Sequence, residues 1–345
     1  MKPLHLALGA AILGILLVSL FPRLAAPQRR ESRRRIKLLG WVVDYDRGSE
    51  KAFLEHRGLF TWVSPTWLTV HGDGYVQEKV WAPALVDAAR EAGVKVVVLA
   101  ANTGFSPRAV HSILTEPAAR ERALHGLAEI VEKRGYDGLN LDFEGIPPAD
   151  RDAYTSFVCS LAERLHAAGK ELSVDVPAKT SDAGSDWSAA YDYAALARCA
   201  DYVVVMIYDY HWAGGSPGPI SPLPWFRAVL RYAASRIPPG KLVAGIPVYG
   251  YDWPRGGRGR GVTYAEAVEL ARRHGVEPRF DPASGEATFT YTESGVEHTV
   301  WFNTAESARL RIGEALAAGV DKIAYWRVGA EDPGFWSAVE EYERG

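Results

Sequence analysis

The chain has 345 residues, 48% hydrophobic and 23% charged, with a net charge of −3. This composition excludes a disordered chain, and the absence of a basic stripe with interleaved aromatics gives no grounds for a nucleic-acid partner. Eleven Trp and sixteen Tyr supply flat aromatic faces suited to sugar rings, beyond those that must fill the core.

Lys2 is followed by an apolar run at residues 4–21, inside a stretch (3–22) free of Asp, Glu, Lys and Arg. Its length approaches that of a bilayer span. Arg23-Leu-Ala-Ala26 is a poor cleavage site, so residues 1–35 read as a signal or anchor segment with a basic linker. The body, 36–345, is then expected to be extracytoplasmic, either membrane-anchored or secreted. The basic flank from Arg23 to Lys37 points the other way under the positive-inside rule, so orientation stays open.

Eight apolar runs follow, at 36–43, 59–63, 94–100, 139–143, 171–176, 202–207, 242–247 and 322–326. Helical patterns fall at 82–92, 118–134, 149–168, 191–199, 225–236 and 305–318, and another at 333–342 closes the chain. Short continuous runs such as Val94-Lys-Val-Val-Val-Leu99 are the mark of parallel strands covered on both faces. Eight of them in βα order predict an α/β fold of (β/α)8 TIM-barrel type. An open doubly wound sheet would bring a Gly-rich phosphate loop after the first strand, where Trp41-Val-Val-Asp-Tyr-Asp46 stands instead. The long connection before the eighth strand, about 250–304, reads as a small α+β insertion. It holds a helix at 264–274 and a hairpin of 287–292 with 296–302.

Cys159 and Cys199 each fall in a helical pattern and are expected to be buried free thiols, with a disulfide left open because spacing does not define pairing. The sequence shows no ligand cluster with metal spacing, and neither a metal nor a cofactor is expected.

The fourth strand carries the chemistry. In Leu139-Asn-Leu-Asp-Phe-Glu144 side chains alternate, so Leu139, Leu141 and Phe143 face the helices while Asn140, Asp142 and Glu144 face the barrel interior. Three inward polar residues are costly in a purely structural strand. Glu144 comes last, at the C-terminal end where barrel enzymes keep their active sites. Asp142 and Glu144, two residues and roughly 6.6 Å apart along the strand, can converge on one site. Neighbouring carboxylates resist ionising together, which makes one of them a proton donor near neutral pH.

The segment Asp137-Gly-Leu-Asn-Leu-Asp-Phe-Glu144 resembles the D-G-x-D-x-D-x-E signature of glycoside hydrolase family 18, the chitinase-type barrels. With Asn140 at the middle acidic position and Phe143, it is similar to the bacterial branch of spore-cortex-lytic and spore-germination glycosidases. Met206-Ile-Tyr208-Asp209, Ile246-Pro-Val-Tyr249-Gly and Tyr325-Trp326 resemble the family's sixth, seventh and eighth strand ends. The resemblance implies that Glu144 protonates the leaving oxygen and later activates water. Asp142 would orient the substrate's acetamido group, and Tyr208 would hydrogen-bond its carbonyl. Asp137 and Asn140 would support Asp142 from below, Asp209 would bond a sugar hydroxyl, and Trp326 would form the floor. By strand parity Asp175 is a candidate substrate contact. His211 and Trp212, just past the sixth strand, are candidates to line the cleft, and so is Tyr249. Trp41, Trp67, Trp253 and Lys179 are weighed as sugar contacts against plain packing.

The implied activity is substrate-assisted, retaining hydrolysis of β-1,4 N-acetylglucosaminyl bonds, in peptidoglycan of spore cortex or cell wall or in chitin-like glycan. The expected partners are an N-acetylglucosamine-containing glycan and, through the N-terminal segment, a membrane; the body is expected to be a monomer. The alternative is a non-catalytic carbohydrate-binding or spore-envelope protein on the same barrel, against which the presence of Glu144 speaks.

Overall fold

The computed structural model describes residues 36–343, so the expected anchor at 1–35 lies outside the described residues. Among the described residues no helix is long and apolar enough to cross a membrane.

Eight parallel strands close into a barrel: β1 Lys37–Val42, β2 Trp62–Pro65, β3 Lys95–Asn102, β4 Gly138–Asp142, β5 Glu171–Pro177, β6 Tyr202–Met206, β7 Leu242–Pro247 and β8 Lys322–Trp326. β8 pairs with β1 through Gly40↔Tyr325, and β2 pairs with β3 through Val63↔Val96, which completes the ring. The expected (β/α)8 barrel is therefore present, with local differences. The second run was placed at 59–63, but residues 57–59 form a 3-10 turn and β2 begins at Trp62. A segment that pattern reading left as loop, Leu68–Val70, pairs with the upper part of β3 and then turns back against Val76–Glu78.

Two helices are absent from the sequence reading. Arg47–His56 buries only Ser49 and Phe53, too few apolar positions to give a helical period, although Asp46 caps it by accepting from Gly48 N. Pro107–Thr115 lies between two prolines, but these open helices rather than break them. Pro107 follows the N-cap Ser106, and Pro117 starts the next helix, Pro117–Arg134.

Strand alternation divides the core into two shells. Leu139 and Leu141 of β4, and Phe143 just past its end, belong with Leu172, Val174, Val203, Val205 and the helix residues Leu127 and Phe157 in the outer shell. Leu39, Trp41, Trp62, Val97, Leu99, Val204, Val243 and Ala324 fill the barrel interior. A one-residue slip of β4 would turn its polar residues into the outer apolar shell, so burial fixes the register. Gly138 opens this strand because a Cβ there would lie 2.4 Å from Glu171 O on β5.

Between β7 and β8 lies a five-stranded antiparallel sheet, ordered Arg260–Val262, Gly250–Pro254, Val296–Phe302, Glu286–Glu293, Arg279–Asp281. Helix Tyr264–His274 packs on it through Ala267, Leu270 and Ala271 against Phe289, Tyr291 and Phe302. Thr263 and Glu266 form a capping box at the start of that helix.

The two cysteines correct an expectation. Cys159, on helix Arg151–Ala167, and Cys199, ending helix Tyr193–Cys199, form a disulfide with Cα atoms 5.0 Å apart. Consecutive barrel helices lie side by side, and that adjacency sets the pairing where sequence spacing could not.

Candidate active site

Asn140 and Asp142 point inward from β4, and Glu144 stands just past its end. Asn140 is completely buried. Its Oδ1 accepts from Trp41 Nε1 at 2.7 Å and from Ser64 Oγ at 3.0 Å, and its Nδ2 donates to Asp175 Oδ1 at 2.7 Å. An amide is the side chain that can accept on one side and donate on the other. Asn140 therefore supports Asp175 directly, rather than Asp142 as the sequence suggested. Asp175 is 1% exposed and is a buried partner within the cluster.

Asp142 is buried as well, and its Oδ1 has no hydrogen-bond partner among the described residues. Burial pushes its carboxyl up to about 7. Glu144 is held well above the ordinary carboxylate range by burial, then by the negative charges of Asp142 and Asp209. Asp175 is raised by burial and by Asp142, against the opposing pull of the Asn140 hydrogen bond. The cluster thus retains protons that separate carboxylates would lose at neutral pH.

The backbone of Glu144 is gripped from β3: Asn102 Oδ1 accepts from Glu144 N at 2.8 Å, and Asn102 Nδ2 donates to Glu144 O at 3.0 Å. Tyr191 OH donates to the adjacent Phe143 O at 2.8 Å. Neither residue was found from sequence. Asn102 has the helix-facing parity of Val98 and Ala100 and reaches Glu144 along the rim, and Tyr191 comes from a distant loop. Ser64 was also missed, although it is an inward polar residue on an apolar strand, which is a readable signal.

β6 leads into Tyr208 and Asp209. Burial and the charges of Asp175, Asp142 and Glu144 hold the Tyr208 phenol well above its usual range, so it stays a donor. Its ring meets Tyr249 edge-on, with centroids 6.1 Å apart. Asp209 has a left-handed backbone, φ 59°, and its carboxylate accepts from Tyr249 OH and, at 3.0 Å, from Tyr251 OH. Tyr251 went unnoticed because it begins the insertion, outside the barrel pattern. Trp326 ends β8, half-buried, its ring 5.8 Å from that of Trp41.

The remaining sequence candidates make the following contacts. Asp137 is at the opposite end of β4, five residues and roughly 16 Å from Asp142, where its Oδ2 accepts from Val96 N at 2.8 Å. It ties β4 to β3, which corrects the expectation that it supports Asp142. His211 folds back into its own loop, Nδ1 against Ser216 O at 2.9 Å. Trp212 is half-exposed with the Arg258 guanidinium over its ring. Trp41, Trp67 and Trp253 are buried, and Lys179 is buried donating to Tyr191 O.

Residues 72–331 match the model of Glycosyl hydrolases family 18. The cortical fragment-lytic enzyme of Bacillus anthracis is 30% identical over 278 residues, 78% of this chain and 65% of that protein. The Bacillus cereus protein of the same name is 32% identical over 246 residues, 70% of this chain and 57% of its own. The chain thus spans less than two thirds of the length of these relatives. The Bacillus cereus spore cortex-lytic enzyme SleL superposes with a TM-score of 0.82 at 28% identity, covering 90% of this chain and 74% of that one. A chitinase from Chromobacterium violaceum ATCC 12472 gives 0.83 at 29% identity, covering 89% and 98%. A closed parallel barrel, a proton-retaining carboxyl cluster at its C-terminal mouth and this match over most of its length place the chain in glycosyl hydrolases family 18.

Proposed function

We propose that this protein is a glycosidase and hydrolyses β-1,4 N-acetylglucosaminyl bonds of bacterial wall glycan, in spore cortex or vegetative peptidoglycan, by a substrate-assisted retaining mechanism. The observation that carries the reading is the pairing of Glu144, held protonated, with Asp142, whose buried Oδ1 lacks a partner. A substrate acetamido N–H would satisfy that oxygen. The acetamido carbonyl oxygen, held by the Tyr208 phenol, then attacks the anomeric carbon as Glu144 gives its proton to the leaving oxygen. Asp142 faces the oxazolinium charge that develops. Glu144, now a carboxylate, takes a proton from water, which opens the ring with configuration retained. Trp326 would floor the reacting sugar, and Asp209 would bond one of its hydroxyls.

The names of the relatives at 30–32% identity favour cortical glycan, and the likeness to a chitinase favours a neutral chitin-like glycan as the second reading. A purely carbohydrate-binding role fits poorly with an intact, desolvated Glu144. The Cys159–Cys199 disulfide supports an oxidising, extracytoplasmic compartment, to which residues 4–21 would tether the chain. One chain supplies the whole cluster, in keeping with a monomer.

The test is a digest of spore cortex, vegetative wall and chitin oligomers by the full chain, read by product mass and anomeric configuration. Muropeptide release with β-configured products is expected. Equal turnover of a glycan stripped of its N-acetyl groups would overturn substrate assistance, and binding without product would overturn hydrolysis.

A further inference from the structure

Behind the β6 end, away from the carboxyl cluster, a buried ion pair joins three parts of the chain. Glu286, the first residue of an insertion strand, and Arg311, on helix Ala305–Ala317, meet at 2.7 Å with both side chains fully buried. Isolated charges at that depth are strongly unfavourable, and such a pair persists only where its remaining hydrogen bonds are met. Arg311 Nη1 donates to Gly285 O and Ser307 O, Arg311 Nε has no partner among the described residues, and the other bonds go to one loop. Glu286 Oε2 accepts from Ile220 N at 2.8 Å and Oε1 from Ser221 N at 2.6 Å, while Arg311 Nη2 donates to Ser221 O. Ser221 Oγ in turn donates to Ile207 O at 2.6 Å, one residue before Tyr208. Tyr210 N donates to Ile220 O at 2.9 Å. Both ends of the loop that carries Tyr208 and Asp209 are therefore fastened to the pair.

Between those ends Asp209 holds a positive φ, a conformation a non-glycine residue keeps only where its surroundings over-determine it. The insertion restrains Asp209 a second time, through the Tyr251 phenol. We infer that Glu286 and Arg311 are positioning residues, through which the insertion and the helix before β8 hold Tyr208 and Asp209 in the geometry the reaction needs. This inference rests on the proposed function for the roles of those two residues.

The test compares full-length Glu286→Gln with wild type on a chito-oligosaccharide of defined length, well below both melting transitions. Gln offers a single acceptor oxygen where the carboxylate offers two, so one loop N–H is released. The expected result is a loss of kcat of at least about tenfold, as for a small misplacement at an active site, with a smaller change in KM. The alkaline limb of the kcat profile should also move to lower pH, because the Asp209 charge that raises Glu144 moves away. Ser221→Ala removes only the hydroxyl link to Ile207. It leaves the ion pair intact and is the milder variant, and it should show the same changes at smaller size. Crystal structures of both variants should show Asp209 leaving its positive φ and parting from Tyr251. A lowered melting temperature with kcat, pH limb and Asp209 backbone all unchanged would make the pair structural cement and overturn the inference. If wild type cleaves no N-acetylated glycan, the proposed function falls, and the crystal structures still decide whether the pair holds the loop.

Discussion

Trp41 and Asn140, ninety-nine positions apart in sequence, meet inside the barrel, where the indole N–H donates to the amide oxygen at 2.7 Å. This bond and the one from Ser64 fix the amide so that its nitrogen faces Asp175. Asn140→Asp replaces that donor by a second carboxyl, and the two must share a proton. The shared proton is held in the folded state above the unfolded value of about 4. The variant's stability should therefore match wild type below about pH 4 and fall behind as pH rises through the folded value. Urea unfolding at several pH values measures this, and parallel curves for the two proteins would refute it.

Glu144→Gln keeps the shape and removes the proposed proton donor. A general acid contributes about 10²–10⁴-fold, so the rate on an N-acetylated glycan should fall by at least about a hundredfold while the melting temperature holds or rises. Full activity in this variant would sink the assignment.

In the wild type, burial pushes Asp142 up to about 7, and Glu144 and Asp175 are both raised by burial and by the charge of Asp142. The folded state thus binds more protons than the unfolded chain. Stability from this cluster is complete below about pH 4 and is lost as pH rises through 7 and beyond. Activity should fail on the same side, because the proposed mechanism needs a proton on Glu144. Asp209→Asn removes a charge that raises Glu144, and the alkaline limb should shift to lower pH; a shift upward would contradict the electrostatics described.

Asn102→Ala releases the backbone of Glu144 without touching its carboxyl. A displacement near one ångström costs about a hundredfold at most, so kcat should fall roughly ten- to a hundredfold, with little change in KM. Asn102→Asp keeps the acceptor for Glu144 N but sets an oxygen against Glu144 O, and it should recover only part of the loss.

What was legible in the sequence follows from periodicity. The strands of the barrel showed as short continuous apolar runs alternating with helical periods, and the inward parity of Asn140, Asp142 and Glu144 follows from a two-residue repeat, so both could be read. Asp137 was misjudged because signature neighbours in sequence are not neighbours in space: a strand carries its two ends apart. Asn102, Tyr191 and Tyr251 act on backbone atoms or on Asp209 from other elements, and no local pattern marks such contacts. The helix at 47–56 was missed because it buries so little. The disulfide was open to either reading until the two helices were seen side by side.

That disulfide also governs how the chain would come apart. The bond between Cys159 and Cys199 encloses β5, which carries Asp175, and the exposed loop at 181–187, with Trp187 48% exposed. Exposed loops of this kind are where proteases nick a folded protein. A single cut there leaves the two fragments covalently joined, so the nicked protein should run as one band without reductant and as two with it. Two bands without reductant would show that the bond is absent. In the extracytoplasmic setting proposed for it, the consequence would be durability: the backbone can be broken in that loop without the barrel losing a stave.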